Sequence, residues 1–168
     1  SKYSVSRDIY ERLDDSIEKN LSKLIFSGEE EELLKTQNSQ PAIMATSISI
    51  FEALKYESLL DKNTYDCVAG HSLGEYSALA CSEALNFADT LKILKSRGSA
   101  MQNAVPKGEG SMVAVLGADI NKIEKIILNN QEKYECFIAN DNSEGQLVVS
   151  GANDDIEKFI FDLKSNSI

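Results

Sequence analysis

Residues 65–80 read YDCVAGHSLGEYSALA. The apolar run at 65–70 ends in glycine and reads as a short buried strand. Gly70-His71-Ser72-Leu73-Gly74 follows, a G-x-S-x-G sequence, and then GEYSALACSEAL, rich in Ala and Leu, reads as a helix. A strand, a tight turn with serine at its tip and a helix form the setting that a nucleophile elbow requires. The serine of such an elbow sits on a strained turn, which lifts its hydroxyl clear of the backbone. Glycines two residues to either side present no Cβ to collide across that turn. The helix behind the serine points its partially positive N-terminus at a developing oxyanion, and the Leu73 amide is the candidate donor.

His71 is the one histidine of the chain, and its place beside the serine suggests a general base. Successive side chains leave a strand end in opposite directions. The side chain next to the nucleophile therefore points away from the hydroxyl, and His71 is assigned a supporting role. A serine nucleophile needs a base within hydrogen-bond reach, and in α/β hydrolases the acid and histidine follow the serine. The expectation is a base beyond Ile168.

Upstream, residues 3–20 read as a polar helix, followed by the short apolar LSKLIF. Pro41 is expected to open an amphipathic helix, with Ile43, Ser47, Ile50, Phe51 and Leu54 at helical spacing. Gln40, just before that proline, is placed to contact the open amides of the helix start. Downstream, Asp89 begins another helix, TLKILKSRGSAMQNA, which Pro106 and the glycines of KGEG stop. Arg97 in this helix has chemical interest, because a guanidinium is always charged and grips a carboxylate through two parallel hydrogen bonds.

The character changes after Gly110. MVAVLG, YECFIAN and QLVVSG read as strands, and INKIEKIILNN and DDIEKFIFDLKS as helices. That β-α-β-β-α run is a ferredoxin-like unit lacking its last strand. The domain boundary is expected at 108/109. The chain is read as α/β: residues 1–108 as an incomplete parallel-sheet, hydrolase-like core, and 109–168 as an inserted ferredoxin-like α+β lobe.

Composition narrows the function classes. With 17 Lys and Arg against 27 Asp and Glu, the net charge is −10, which argues against a general phosphate-backbone binder and so against nucleic acid. The acids at Glu29–Glu32 read as solvated helix surface. No stretch approaches the roughly 18 apolar residues of a membrane span, and the N-terminus has no signal-like apolar run. Cys67, Cys81 and Cys136 lie in apolar runs without C-x-x-C spacing. They are expected to be buried, reduced thiols in a cytoplasmic or cytosol-like compartment, an organelle of bacterial origin included. No metal site is expected from this ligand set.

The blocks together carry a resemblance. GHSLGEYSALA is similar to the active-site segment of the malonyl-CoA:acyl-carrier-protein transacylases. NSQPAIMATSISIFEAL resembles their helix bearing an NTQPAL-type motif, SRGSAMQNAVPKGEGSMVAVLG resembles their RG-x-x-MQ segment, and IANDNSEGQLVVSG resembles their AN-x-NSPGQ-type hairpin, with Glu144 where proline is usual. These blocks stand in family order and spread over essentially the whole chain.

The resemblance implies acyl transfer from malonyl-CoA to the phosphopantetheine thiol of acyl carrier protein, in fatty acid biosynthesis, with coenzyme A thioester as substrate and no cofactor. It implies Ser72 as the acylated nucleophile and the Leu73 amide as an oxyanion donor. Arg97 would hold the malonyl carboxylate, Gln40 and Asn140 would line or brace the pocket, and Met101 would pack beside Arg97. From the residues alone, Asn140 also fits turn chemistry and Met101 also fits core filling. Two other readings share the elbow: a serine esterase or thioesterase of the α/β-hydrolase class, and a truncated acyltransferase acting only as a binding module.

Overall fold

The computed structural model describes residues 2–61, 63–106, 108–166 and 168. It divides into two compact units, 1–104 and 105–168.

The described part of the first unit is helical. α1 (Ser4–Ile17) buries Ile9, Leu13 and Ile17, a stripe at four-residue spacing. It ends where Glu18 turns left-handed at φ 51°. The polar helix foreseen at 3–20 is therefore amphipathic and three residues shorter at its end. α2 (Leu21–Ser27) starts at Asn20, whose side chain accepts from the Lys23 amide, satisfying one donor that a helix start leaves open. α3 (Glu30–Leu34) buries nothing, in keeping with its acids lying on the surface. α4 (Thr36–Tyr56), α5 (Leu73–Cys81) and α6 (Phe87–Gln102) complete the unit. Leu13, Leu21, Met44, Ala45, Leu91 and Leu94 are fully buried in their shared core, each large side chain contributing about 1.5–3 kcal/mol by leaving water.

Three expectations change here. Pro41 does not open its helix: α4 begins five residues earlier, and Pro41 lies inside it, buried. The open amides of that start find acceptors. Lys35 O accepts from the Asn38 and Ser39 amides, and the Gln102 side chain accepts from the Thr36 amide at 3.4 Å. Residues 65–70 adopt no strand, because a strand exists by hydrogen bonding to a neighbour, and this unit shows none among its described residues. Cys67 is accordingly exposed rather than buried; Cys81 is half-buried and Cys136 buried, all three as free thiols. Burial pushes the Cys81 and Cys136 thiols above their ordinary pKa.

The second unit runs β1 (Gly110–Leu116), α7 (Ile120–Asn129), β2 (Cys136–Ser143), β3 (Gln146–Ala152) and α8 (Asn153–Ser165). Its sheet is antiparallel with order β1-β3-β2, the arrangement of the β-α-β-β-α run expected from sequence. Val149 pairs with Val113 on one side and Ile138 on the other. Alternation puts Val115, Leu147 and Val149 on the face that packs against Ile123, Ile126, Ile156, Phe159 and Leu163 of the helices. Met112, Leu116 and Phe137 occupy the opposite face, each more than half exposed. With helices and a small antiparallel sheet together, the chain is mixed α/β.

Candidate functional site

Ser72 has φ 55° and ψ −116°, a conformation that residues other than glycine avoid and that costs on the order of 1–3 kcal/mol. The turn is closed by the Gly74 amide donating to His71 O at 2.8 Å and the Glu75 amide to Ser72 O at 3.2 Å. A Cβ on Gly70 would lie 1.9 Å from Gly74 O and 2.0 Å from Gly74 C, so this position admits glycine alone. Gly74 differs: a Cβ there meets nothing within 4 Å. The expectation of two sterically required glycines holds at Gly70 and fails at Gly74, since the close approach is between the Gly70 Cα and the Gly74 backbone.

Leu73 is the first residue of α5, and its amide belongs to the group of helix-start donors without an intrahelical acceptor. His71 lies exposed on the turn, and its carbonyl closes that turn.

Arg97 reaches the elbow from α6. Its Nη2 donates to Ser72 Oγ at 3.1 Å, and its Nη1 donates to Gln40 Oε1 on α4. Gln40 is 3% exposed, and its Nε2 donates to Thr36 Oγ1 at 2.7 Å and to Met101 Sδ at 3.3 Å. The carboxamide is therefore oriented by its far side and presents its oxygen to the guanidinium. Met101, half-exposed, meets Gln40. Three helices thus bring together Gln40, Ser72, Arg97 and Met101, residues that come from three separate blocks of the sequence.

Asn140 lies in the second unit, half-buried on β2 opposite Val148. Its register shifts by a bulge after Ile138, which breaks the alternation across residue 139. The structure places it in that sheet, within the second unit.

Two residues of the site were missed from sequence. Tyr76, one turn into α5, has its ring 5.8 Å from the Arg97 guanidinium. Gly98, next to Arg97, is the contact point of α6 with α4. A Cβ there would lie 2.6 Å from Gln37 Cα and 2.7 Å from Thr36 O. Glycine inside a helix costs about 1 kcal/mol relative to alanine, so its presence in SRGSAMQ was the available signal for a close approach.

Chemically, the site offers a hydroxyl on a strained turn, a helix-start amide beside it and a cation with a carboxylate-matching fork. Arg97 cannot accept a proton, so deprotonation of Ser72 belongs to another group. No group of three or more His, Cys, Asp or Glu side chains able to hold a metal occurs among the described residues. None of the described helices is long and apolar enough to cross a membrane.

Comparison with known proteins gives consistent matches. The family model described as acyl transferase domain matches residues 1–168. A malonyl CoA-acyl carrier protein transacylase of Bacillus subtilis is 40% identical over 153 residues, covering 90% of this chain and 47% of that protein. The crystal structure of an acyl-carrier-protein-S-malonyltransferase from Bartonella henselae superposes with TM-score 0.90 at 39% identity, covering 98% of this chain and 52% of the other. A malonyl-transacylase solved in complex with its type II PKS acyl-carrier protein superposes with TM-score 0.88 at 32% identity, again over 98% and 52%. The chain spans about half the length of the curated relatives it matches.

Proposed function

Because the chain belongs to the acyl transferase domain family along residues 1–168, we propose that it carries the nucleophile and acyl-recognition half of a malonyl-CoA:acyl-carrier-protein transacylase of fatty acid biosynthesis. The observation that carries this reading is the Arg97 guanidinium 3.1 Å from Ser72 Oγ. A malonyl thioester has a reactive carbonyl and a carboxylate two bonds further on. A serine with a fixed guanidinium beside it is complementary to both ends. A hydrolase acting on neutral acyl esters gives Arg97 nothing to bind.

In the first half-reaction Ser72 Oγ loses its proton to a base and attacks the malonyl carbonyl. The C–S bond breaks, coenzyme A leaves as the thiol and the malonyl ester of Ser72 remains. In the second, the phosphopantetheine thiol of acyl carrier protein attacks that ester, the C–O bond breaks and Ser72 is regenerated. Leu73 supplies its amide to the oxyanion, Gln40 and Met101 brace Arg97, Asn140 contributes from the small lobe and His71 supports the turn. Coenzyme A thioester is the substrate, and the reaction calls for no cofactor. Transfer rather than hydrolysis requires a cleft that keeps water out. Within the whole protein, residues 1–108 belong on this reading to a parallel-sheet hydrolase-like core and 109–168 to an inserted ferredoxin-like lobe, in a cytoplasmic enzyme.

The test is acylation of the full-length protein by malonyl-CoA and by acetyl-CoA. Intact mass is expected to rise by one malonyl group, and not in Ser72→Ala. Charge-assisted hydrogen bonds contribute roughly 1.5–3 kcal/mol, so Arg97→Ala is expected to lower kcat/KM for malonyl acylation about 10–100-fold and to spare acetyl. Mass gain persisting in Ser72→Ala, or equal losses for both thioesters in Arg97→Ala, would refute the proposal.

A further inference from the structure

Arg97 donates from Nη1 to Gln40 and from Nη2 to Ser72 Oγ, and the N–H groups of a guanidinium lie in its plane. In-plane bonds fix where the group sits but leave it free to tilt about the line joining them. A carboxylate accepts two parallel N–H bonds only when the fork is coplanar with it, so the tilt is the variable that decides recognition.

One group in the site opposes tilting. The Tyr76 ring lies 5.8 Å from the Arg97 guanidinium carbon, within the range at which the negative face of an aromatic ring attracts a cation. Tyr76 stands in the first turn of α5, four residues after Ser72, and helix side chains lean toward the N-terminus. Its ring is thereby directed back toward the nucleophile. Tyr76 is half-buried, as is Arg97, which keeps the pair from full solvent screening. Of the five guanidinium N–H groups, two are engaged by Gln40 and Ser72, which among the described residues leaves the others for an incoming acid.

We infer that Tyr76 is a positioning residue for acyl selection: its ring holds the Arg97 fork in the plane that an acyl-chain carboxylate requires. This rests on the assignment of Arg97 as the carboxylate reader. Tyr76 touches neither the reacting carbonyl nor the acyl carboxylate, and it acts through Arg97. It is the aromatic face that matters, and the hydroxyl is dispensable.

The experiment compares Tyr76→Phe and Tyr76→Leu in the full-length protein, alone and combined with Arg97→Ala, by acylation kcat/KM with malonyl-CoA and acetyl-CoA. A cation–ring contact is worth about 0.5–2 kcal/mol, equivalent to roughly 2–30-fold. Tyr76→Leu is expected to lower the malonyl-to-acetyl ratio by that factor, and Tyr76→Phe to keep it within about twofold of wild type. In the Arg97→Ala background, Tyr76→Leu is expected to change the ratio no further. Parallel melting curves separate a loss of fold from a loss of selection, because unfolding lowers both thioesters together. A ratio unchanged in Tyr76→Leu, or lowered equally in the Arg97→Ala background, overturns the role of the ring. If Arg97→Ala itself leaves the ratio unchanged, the assignment of Arg97 falls and this inference falls with it.

Discussion

The elbow at 70–74 and the hairpin at 143–146 are both tight turns that use the left-handed half of backbone space, and they assign it to different residues. In the hairpin Gly145 takes φ 74°, between the paired Ser143 and Gln146, and glycine does so without strain. In the elbow φ 55° falls on Ser72, while the neighbouring glycine relieves a collision instead. The hairpin places its special residue where folding wants it; the elbow places a serine there because the hydroxyl has to stand clear. Strain tolerated at one point in the chain marks where chemistry overrules stability. Substitutions at the elbow should therefore act first on rate, and substitutions in the packed core of the lobe on stability.

The sharpest way to break that contrast is at Ser72 itself. Ser72→Ala and Ser72→Gly are both expected to abolish acylation as read by intact mass. They are expected to part in stability. Glycine releases strain of about 1–3 kcal/mol and adds roughly 0.5–1 kcal/mol of unfolded-chain freedom, so Ser72→Gly should be more stable by on the order of 1 kcal/mol. Ser72→Ala keeps the strain and should denature close to wild type. Denaturant midpoints that rank the variants the other way would show that the turn is not strained.

Next in size comes the asymmetry between the flanking glycines. Gly70→Ala drives a Cβ into the Gly74 backbone at 1.9 Å and has to displace the serine. Misplacement of a reacting group by about 1 Å costs on the order of 10²-fold, and that loss in kcat/KM is expected. Gly74→Ala enters open space within α5 and is expected to remain within about threefold of wild type, with a stability gain of up to about 1 kcal/mol. Equal damage at both positions would show that the glycines serve the turn symmetrically.

Smaller again is the effect at Gly98. Its closeness to Thr36 and Gln37 sets the separation of α4 and α6, and with it the reach of Arg97 to Gln40. Gly98→Ala is expected to destabilise by about 1–3 kcal/mol through overpacking and to lower malonyl acylation about tenfold more than acetyl. Loss of stability without change in that preference would confine Gly98 to packing.

The two regions also differ in how far sequence revealed them. In the lobe, hydrophobic alternation and helical spacing gave all five elements, because β1, β2 and β3 pair with one another inside a span of 43 residues, Gly110–Ala152. In the first unit the run 65–70 carried the same apolar signal and forms no strand, since pattern reports burial preference and says nothing about whether a pairing partner is at hand. Pro41 misled for a related reason: proline marks a helix start only statistically, and here the start lies at Thr36, where Lys35 O takes the Asn38 and Ser39 amides and the Gln102 side chain, 66 residues from Thr36, accepts from its amide. Ser72, Gln40, Arg97 and Met101 were legible as motif positions. Their meeting, through the Gln40 carboxamide, depends on two helices crossing at Gly98, which no local pattern encodes.

The last and smallest effect tests the lobe's half of the contrast. Tyr134 is 3% exposed and stacks edge-on with Phe159 at 5.9 Å between ring centroids. Burial, reinforced by the nearby Asp162 carboxylate, pushes its phenol up to about 12, against about 10 for an unfolded tyrosine. The folded state thus favours the neutral phenol. Its contribution to stability is complete below pH 10, where neither state ionises, and is lost as pH rises toward 12 because the unfolded chain releases the proton first. The loss approaches about 3 kcal/mol at most, once both states have ionised. Tyr134→Phe cannot ionise. Below pH 10 it is expected to match wild type within about 1 kcal/mol, since the hydroxyl oxygen is buried without a well-formed hydrogen bond among the described residues. Between pH 10 and 12 its denaturation midpoint should fall less steeply than that of wild type, with acylation at neutral pH untouched. Superimposable alkaline curves would remove Tyr134 as a source of that pH dependence. A drop in neutral-pH acylation would mean that the lobe's packing reaches the chemistry, and the division between the elbow and the lobe would no longer hold.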